Sequence, residues 1–214
     1  MDRSLCFMDK MTDKQRAPQT LLEFAGVESQ PNNLSESILL IIDAQKEFSE
    51  GKLKLPGIEP AMKEAERILN RARKIGIPII HITHQNKSGA ALFNPDEKFV
   101  EIIERLKPKQ NEIVVNKSFA NAFYKSRLNE ELEKNGRKNL IIFGYMTHMA
   151  VDATIRAATE RGYQTTLIGD ACAARDLSDG YGKVFSAEEV HNTTLVVLRD
   201  RFACVIKSET ELPD

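Results

Sequence analysis

Residues 140–154 read LIIFGYMTHMAVDAT, and this stretch decides the fold of the chain. Its first four residues are apolar, Gly144 follows them, and a helical spacing of apolar residues then runs from Val151 to Arg161, just before Gly162. The pattern predicts a buried strand, a tight turn and a helix, in that order. Such a turn gathers backbone N–H groups at the positive end of a helix dipole, which favours a ligand site there.

Strands and helices alternate in the same way over most of the chain. Apolar runs predict six strands, at residues 37–43, 77–83, 113–116, 140–143, 165–168 and 203–206. Helical spacing predicts helices at residues 59–75, 96–106, 127–135, 149–161 and 186–201. This alternation implies an α/β fold, a single-domain, Rossmann-like three-layer sandwich over residues 35–214. We expect a six-stranded parallel sheet of order 3-2-1-4-5-6 with helices on both faces, preceded by a partly flexible extension at residues 1–34.

Composition excludes several classes of function. The chain has 214 residues, 29% of them charged, and a net charge of −1, which argues against a nucleic-acid or membrane partner. Its three cysteines, Cys6, Cys172 and Cys204, lack C-x-x-C spacing and cannot all pair, which favours a reduced compartment. Residues 1–14 carry no apolar signal-peptide core, and the apolar run at 38–42 is too short to span a bilayer. We therefore expect a cytoplasmic protein.

Three chemically useful positions fall at the predicted strand ends. Asp43 ends the first strand, Lys117 follows the third, and position 150 opens the helix after the fourth. Open parallel sheets bind their ligands outside the carboxyl ends of the strands. Either charged residue alone would more often be a loop cap or a surface charge, but their common placement favours catalysis.

These segments resemble the isochorismatase-like cysteine hydrolases. The stretch GYMTHMAV at 144–151 is similar to the nucleophile loop of that family, which reads roughly G-x-x-T-x-x-C-V. IIDAQ at 41–45, with Phe48 after it, resembles the segment of the catalytic Asp, and VNKSF at 115–119 resembles that of the catalytic Lys. The resemblance covers about residues 35–207. One residue departs from it, because Ala150 stands where the family has its nucleophilic Cys.

The resemblance implies hydrolysis of an amide-like C–N bond of a small molecule through an acyl-enzyme, without a cofactor. A thiol at position 150 would attack, Asp43 would carry its proton to the leaving amine, and Lys117 would hold the Asp charge. Backbone N–H groups of Thr147 and Ala150 would form the oxyanion hole. The resemblance also implies a cis peptide between Met146 and Thr147 and assembly as a homodimer or homotetramer.

Ala150 leaves three hypotheses open. The first, which we favour, is an engineered Cys-to-Ala change in a cysteine hydrolase. The second is natural divergence toward the true isochorismatases, which resemble this fold but cleave a vinyl ether with the Asp as acid and have Gly at this position. The third is a binding module without catalysis, in which Asp43 and Lys117 are kept as a charge pair.

Other side chains near the strand ends are candidates for substrate contacts. They are Gln45, Phe48, His84, Phe119, Phe123 and Tyr145. His81 and His84 suggest a metal, but the chain lacks the Asp-x-His ligand set of the related nicotinamidases, so we predict none. We expect His148 to bond its own loop backbone, His191 to be structural, and Cys172 to be a buried small apolar residue. Residues 89–95 form either a lid or a simple connection.

Overall fold

The computed structural model of the chain describes residues 17–214. The flexible start expected for the N-terminal extension falls on residues 1–16, which lie outside the described part. The later part of the extension is attached to the domain through Asn32, which is buried. Its Nδ2 donates to the carbonyl oxygens of Leu140, at 3.2 Å, and Gln164, at 2.9 Å. These bonds satisfy carbonyls near the starts of two sheet strands.

The described elements alternate along the chain. The strands are β1 (Ser37–Ile42), β2 (Ile79–His84), β3 (Ile113–Lys117), β4 (Asn139–Gly144), β5 (Gln164–Ile168), β6 (Leu177–Ser178), β7 (Val184–Phe185) and β8 (Cys204–Ile206). The α-helices are α1 (Leu21–Phe24), α2 (Ile58–Ile75), α3 (Leu128–Asn135), α4 (Asp152–Glu160) and α5 (Ala187–Arg201). None of the helices in residues 17–214 has the length and apolar character needed to cross a membrane.

Six of the strands form one parallel sheet in the order β3-β2-β1-β4-β5-β8, which confirms the predicted order. The central strand β1 pairs with β2 on one side and β4 on the other, and Ile42 lies in register with Ile82 and Gly144. The register brings the ends of these strands to one edge of the sheet. Residues 43, 84, 117 and 145 therefore emerge close together.

Burial explains why β1 is continuously apolar. Residues 38–42 are each no more than 1% exposed, since helices cover both faces of a parallel sheet. Each such side chain contributes about 1.5–3 kcal/mol relative to an exposed one. The same burial leaves Asp43, the next residue, with few water molecules, and this sets up the chemistry of the site.

The helix predicted at residues 96–106 is wrong. Only short 3₁₀ turns form there, at Lys98–Val100 and Glu104–Leu106. The intervening backbone bonds the segment after β1 instead: the Ile103 N–H donates to the Ala44 carbonyl at 2.9 Å, and the Lys46 N–H donates to the Glu101 carbonyl at 2.8 Å. The apolar spacing still buries Ile103, but the backbone hydrogen bonds are made across the chain rather than along a helix.

The segment after β4 also differs from its prediction. A π-helical turn at Thr147–Val151 precedes α4, where a continuous helix from residue 149 was expected. The cis peptide joins Tyr145 to Met146, one bond earlier than expected. In addition, β6 and β7 form a small antiparallel hairpin outside the main sheet, which the sequence analysis did not predict.

Candidate active site

Asp43 and Lys117 form a buried ion pair at the carboxyl edge of the sheet. Asp43 Oδ2 lies 2.6 Å from Lys117 Nζ, and each residue is 3% exposed. Asp43 turns the chain sharply away from β1 with a φ of 51°, a left-handed conformation that Asp tolerates better than most residues. Its N–H still donates to the Ile82 carbonyl at 2.9 Å, so the sheet fixes its backbone.

The Asp43 carboxyl group is suited to proton transfer. Burial raises its pKa to about 6, although the charge of Lys117 and its hydrogen bond act to lower it. The second oxygen, Oδ1, is buried and has no hydrogen-bond partner among residues 17–214. A carboxyl group that titrates near neutral pH can serve as a general acid or base.

His84 lies beside this pair, as predicted from its place at the end of β2. Its Nδ1 lies 3.2 Å from Lys117 Nζ, and its Nε2 lies 3.1 Å from Asn86 Oδ1. Burial and the charge of Lys117 both lower the pKa of His84, and its bond to Asn86 only partly offsets them. The neutral ring therefore accepts from Lys117 at Nδ1 and donates to Asn86 at Nε2, a tautomer assigned from these partners.

Gln45 does not offer a free polar group to a substrate. It is fully buried, and its Nε2 donates to the carbonyls of His84, at 2.8 Å, and Val100, at 2.7 Å. Its Oε1 accepts the His84 N–H at 2.7 Å. The amide thus joins three chain segments, and these bonds support a structural role. The predicted substrate contact of Gln45 stays a prediction.

An aromatic cluster packs beside His84. Phe48 is 2% exposed, and its ring centroid lies 6.0 Å from that of Tyr145 and 5.3 Å from that of Phe93. The Phe93 ring is in turn 4.9 Å from the His84 ring. Phe48 and Tyr145 were predicted near the site, whereas Phe93 was not. The only signal for Phe93 was its place in the loop at residues 89–95.

The other two predicted aromatics differ from this cluster. Phe119 is 44% exposed and packs against Tyr124, with ring centroids 4.7 Å apart. Phe123 is buried against Tyr163 and lies under the guanidinium of Arg161, whose Cζ is 4.6 Å from the ring centroid. Those two partners follow the C-terminal end of α4, whereas position 150 precedes its N-terminal end. The packing of Phe123 therefore gives no support to its predicted substrate contact, which stays a prediction.

Position 150 lies in the π-helical turn, and Ala150 is 4% exposed. The Thr147 N–H donates to the Ala173 carbonyl at 2.9 Å, so this arrangement does not support its predicted place in an oxyanion hole. The N–H of Ala150 is the better candidate, because the first N–H groups of a helix have no intrahelical acceptor. Thr147 Oγ1 lies 2.8 Å from His191 Nδ1, a contact across the fold that the sequence did not reveal.

Cys172 cannot replace the missing thiol of position 150. It is 5% exposed, its Sγ donates to the Ile168 carbonyl at 3.4 Å, and burial raises its pKa to about 12. Since the thiolate is the nucleophile, a thiol with this pKa is inert near neutral pH. The predicted role as a buried apolar residue is confirmed.

His81 and His148 have different surroundings. His81 Nε2 lies 2.8 Å from Glu112 Oε2, within the sheet rather than at its carboxyl edge. The expected backbone bond of His148 is absent, since neither of its ring nitrogens has a partner in the described part of the chain. Across residues 17–214, no three His, Cys, Asp or Glu side chains cluster as metal ligands do.

Comparison with known proteins decides the family. Residues 37–210 match the isochorismatase domain. The chain belongs to the isochorismatase family. It is 34% identical to the secreted isochorismatase effector Isc1 of Verticillium dahliae over 86% of this chain and 94% of that protein. It is 30% identical to a streptothricin hydrolase of Streptomyces noursei over 65% of this chain and 55% of that protein.

A solved structure agrees with this assignment. The isochorismatase of Pseudomonas putida KT2440 superposes with a TM-score of 0.87 and 39% sequence identity, covering 91% of this chain and 99% of that one. The family resemblance found in the sequence is thus confirmed, and so is the parallel α/β fold. This chain carries the isochorismatase-family scaffold with Ala at position 150.

Proposed function

We propose that this protein hydrolyses the vinyl-ether C–O bond of a small molecule, with Asp43 as the general acid. The observation that carries the proposal is the buried Asp43 carboxyl group, whose pKa is raised to about 6, in a chain that has Ala150 and no thiol at the family's nucleophile position. Acid chemistry needs a proton donor and water, and does not need a side-chain nucleophile. The printed names of the Verticillium and Pseudomonas relatives, both isochorismatases, support the same chemistry.

Asp43, Lys117 and water have separate roles in the proposed reaction. Protonated Asp43 gives its proton to the terminal carbon of the vinyl ether, and an oxocarbenium ion forms. Water adds to that ion, a proton is released, and the hemiketal breaks to a carbonyl compound and an alcohol. Lys117, with its Nζ 2.6 Å from Asp43 Oδ2, stabilises the carboxylate that remains after proton transfer. Solvent then returns a proton to Asp43.

A second candidate is the cysteine hydrolase, with this chain as a form that lacks its nucleophile. It is favoured by the intact Asp43–Lys117 pair and by the position of Ala150 at a helix opening, where a thiol pKa would be lowered. The streptothricin hydrolase of Streptomyces noursei and nicotinamidase 3 of Arabidopsis thaliana are related proteins whose names support such chemistry. In this hypothesis Ala150→Cys restores hydrolysis of amides.

One experiment separates these candidates. The chain and its Ala150→Cys variant are each assayed with enolpyruvyl ethers and with a panel of small amides, and Asp43→Asn is the control in both backgrounds. We expect the unmodified chain to release a carbonyl product from the ether. Turnover of amides by Ala150→Cys alone would replace the acid mechanism with the thiol mechanism. Inactivity of both proteins on both panels would favour a binding module.

A further inference from the structure

A buried carboxylate holds the loop that follows β2. Glu47 is 1% exposed, and among residues 17–214 no Lys, Arg or His side chain forms an ion pair with it. Instead, its Oε1 accepts the Lys52 N–H at 2.7 Å, and its Oε2 accepts the Phe93 N–H at 3.0 Å. A Cβ at Gly51 would lie 2.6 Å from Glu47 Oε1, so glycine there keeps the space for this carboxylate. Burial of a carboxylate is tolerated when both oxygens are hydrogen-bonded.

Phe93 is fixed from both sides of its backbone. Its N–H donates to Glu47, and its carbonyl accepts the Asn86 N–H at 3.0 Å. Its φ of 50° is unusual for a residue with an aromatic side chain, and these two bonds hold it there. The result is a ring that is 8% exposed and lies against His84, the neighbour of Lys117.

The loop, defined here as residues 86–97, reaches the neighbourhood of the ion pair through Phe93, whose ring contacts His84, the neighbour of Lys117. Asp43 and Lys117 are each 3% exposed, so a substrate reaches them only if a covering group moves. The outer side of the loop is held by an exposed lysine: Lys52 Nζ donates to the Ala91 carbonyl at 3.1 Å and pairs with Glu97 at 3.1 Å. Exposed contacts of this kind contribute little to stability. The inner contact, through Glu47 and Phe93, therefore sets how often the loop opens.

We propose that Phe93 determines the substrate specificity of the site by closing it with its ring, and that Glu47 is the positioning residue that holds Phe93 in place. With Phe48 and His84 nearby, the ring offers a flat, unsaturated surface. Aromatic faces pack well against other flat π systems. The site then prefers substrates with a planar unsaturated portion over branched aliphatic ones. This preference rests on the proposed function, whereas the closure does not.

Closure is tested without any substrate. The chain has no tryptophan, so Phe93→Trp introduces a single fluorescent reporter. We expect blue-shifted emission that acrylamide quenches weakly, and Tyr181→Trp, at a position 96% exposed, gives the reference for full exposure. Adding Glu47→Gln to the Phe93→Trp variant replaces one acceptor oxygen with a donor. We therefore expect the fraction of molecules with an open loop to rise about tenfold, and the acrylamide quenching constant to rise with it. Glu50→Gln, an exposed carboxylate on the same segment, is the matched control.

Hydrogen exchange gives an independent measurement if the reporter variant does not fold. In the otherwise unchanged chain, the Phe93 amide should exchange slowly, and Glu47→Gln should accelerate it about tenfold while amides of β1 stay protected. Equal quenching and equal exchange in Glu47→Gln and Glu50→Gln would overturn the positioning role.

Specificity is tested with Phe93→Leu. We expect the KM for planar substrates to rise about tenfold while kcat changes little. The KM for branched substrates should rise less. If no turnover is found, the same ranking is measured as Kd for planar and branched carboxylic acids by isothermal titration calorimetry of the unmodified chain and of Phe93→Leu. An unchanged planar-to-branched ratio in Phe93→Leu would refute the specificity role, even with closure intact. Failure of the vinyl-ether assay alone would leave the fluorescence and exchange results standing, and would refute only the proposed function.

Discussion

Asp43→Asn should remove the loss of stability that the unmodified chain shows as pH rises from about 4 to about 6, and it should also remove activity. Burial raises the pKa of Asp43 from its ordinary value of 3.8 to about 6, so the folded chain binds the proton more tightly than the unfolded chain. Because the folded state holds more protons between these two values, its stability falls as pH rises from about 4 to about 6. The rise in pKa corresponds to about 3 kcal/mol, at about 1.36 kcal/mol per pKa unit. Asn is a neutral side chain of the same shape and escapes this loss.

The assay is urea unfolding followed by circular dichroism at several pH values between 3.5 and 8, on the unmodified chain and on Asp43→Asn. The difference in unfolding free energy between them should shift in favour of the variant by about 3 kcal/mol between pH 4 and pH 7. Glu130→Gln, which removes an exposed carboxylate of α3, controls for the general effect of one charge. A difference that stays constant with pH, or that shifts toward the unmodified chain, would refute the argument that burial dominates the Asp43 pKa.

Three further outcomes are expected. Lys117→Met should move the falling limb of the pH–rate profile of vinyl-ether hydrolysis to higher pH, because Lys117 lowers the Asp43 pKa. A shift of that limb to lower pH would contradict the assignment of Asp43 as the acid. In folded Ala150→Cys, iodoacetamide at pH 6 should label position 150 at least tenfold faster than Cys172, because burial raises the Cys172 pKa to about 12. Mass spectrometry of peptides measures the two labelling rates. Burial acts to raise the pKa of Glu112, but its hydrogen bonds outweigh this effect and lower the pKa to about 2. As pH falls from 4.5 toward 2, urea unfolding should therefore show that the unmodified chain loses stability relative to Glu112→Gln.

Much of the fold could be predicted because local pattern and global burial agree in this chain. The six apolar runs became the six strands of the main sheet, and Ser186 with Glu189 forms a capping box at the start of α5. Residues 96–106 are an exception, because local apolar spacing predicted a helix that does not form there. Their apolar spacing suits a helix, yet the Ile103 N–H bonds the Ala44 carbonyl at 2.9 Å. A competing backbone partner from a distant segment leaves no mark in local periodicity.

Some residues of the site could likewise be predicted from the sequence, and others could not. Asp43 and Lys117 could be found because each directly ends a strand, and the topology of a parallel sheet brings such ends together. Phe93, Glu47 and His191 could not be found, since their importance lies in contacts with residues about 40 or more positions away: Glu47 Oε2 to the Phe93 N–H and His191 to Thr147.

The sequence by itself determined the layered α/β fold, the strand order, the family and the position of a carboxylate–lysine pair at the edge of the sheet. These follow from continuous apolar runs, from the 3.6-residue spacing of apolar residues in helices and from short motifs, which are local properties of the chain. Only the tertiary structure decided that Asp43 is buried enough for its pKa to be raised to about 6, that the Gln45 amide bonds the protein at both its nitrogen and its oxygen, and that the Phe93 ring lies against His84. Desolvation and hydrogen-bond partners depend on everything packed around a group, so they exist only once distant segments have met.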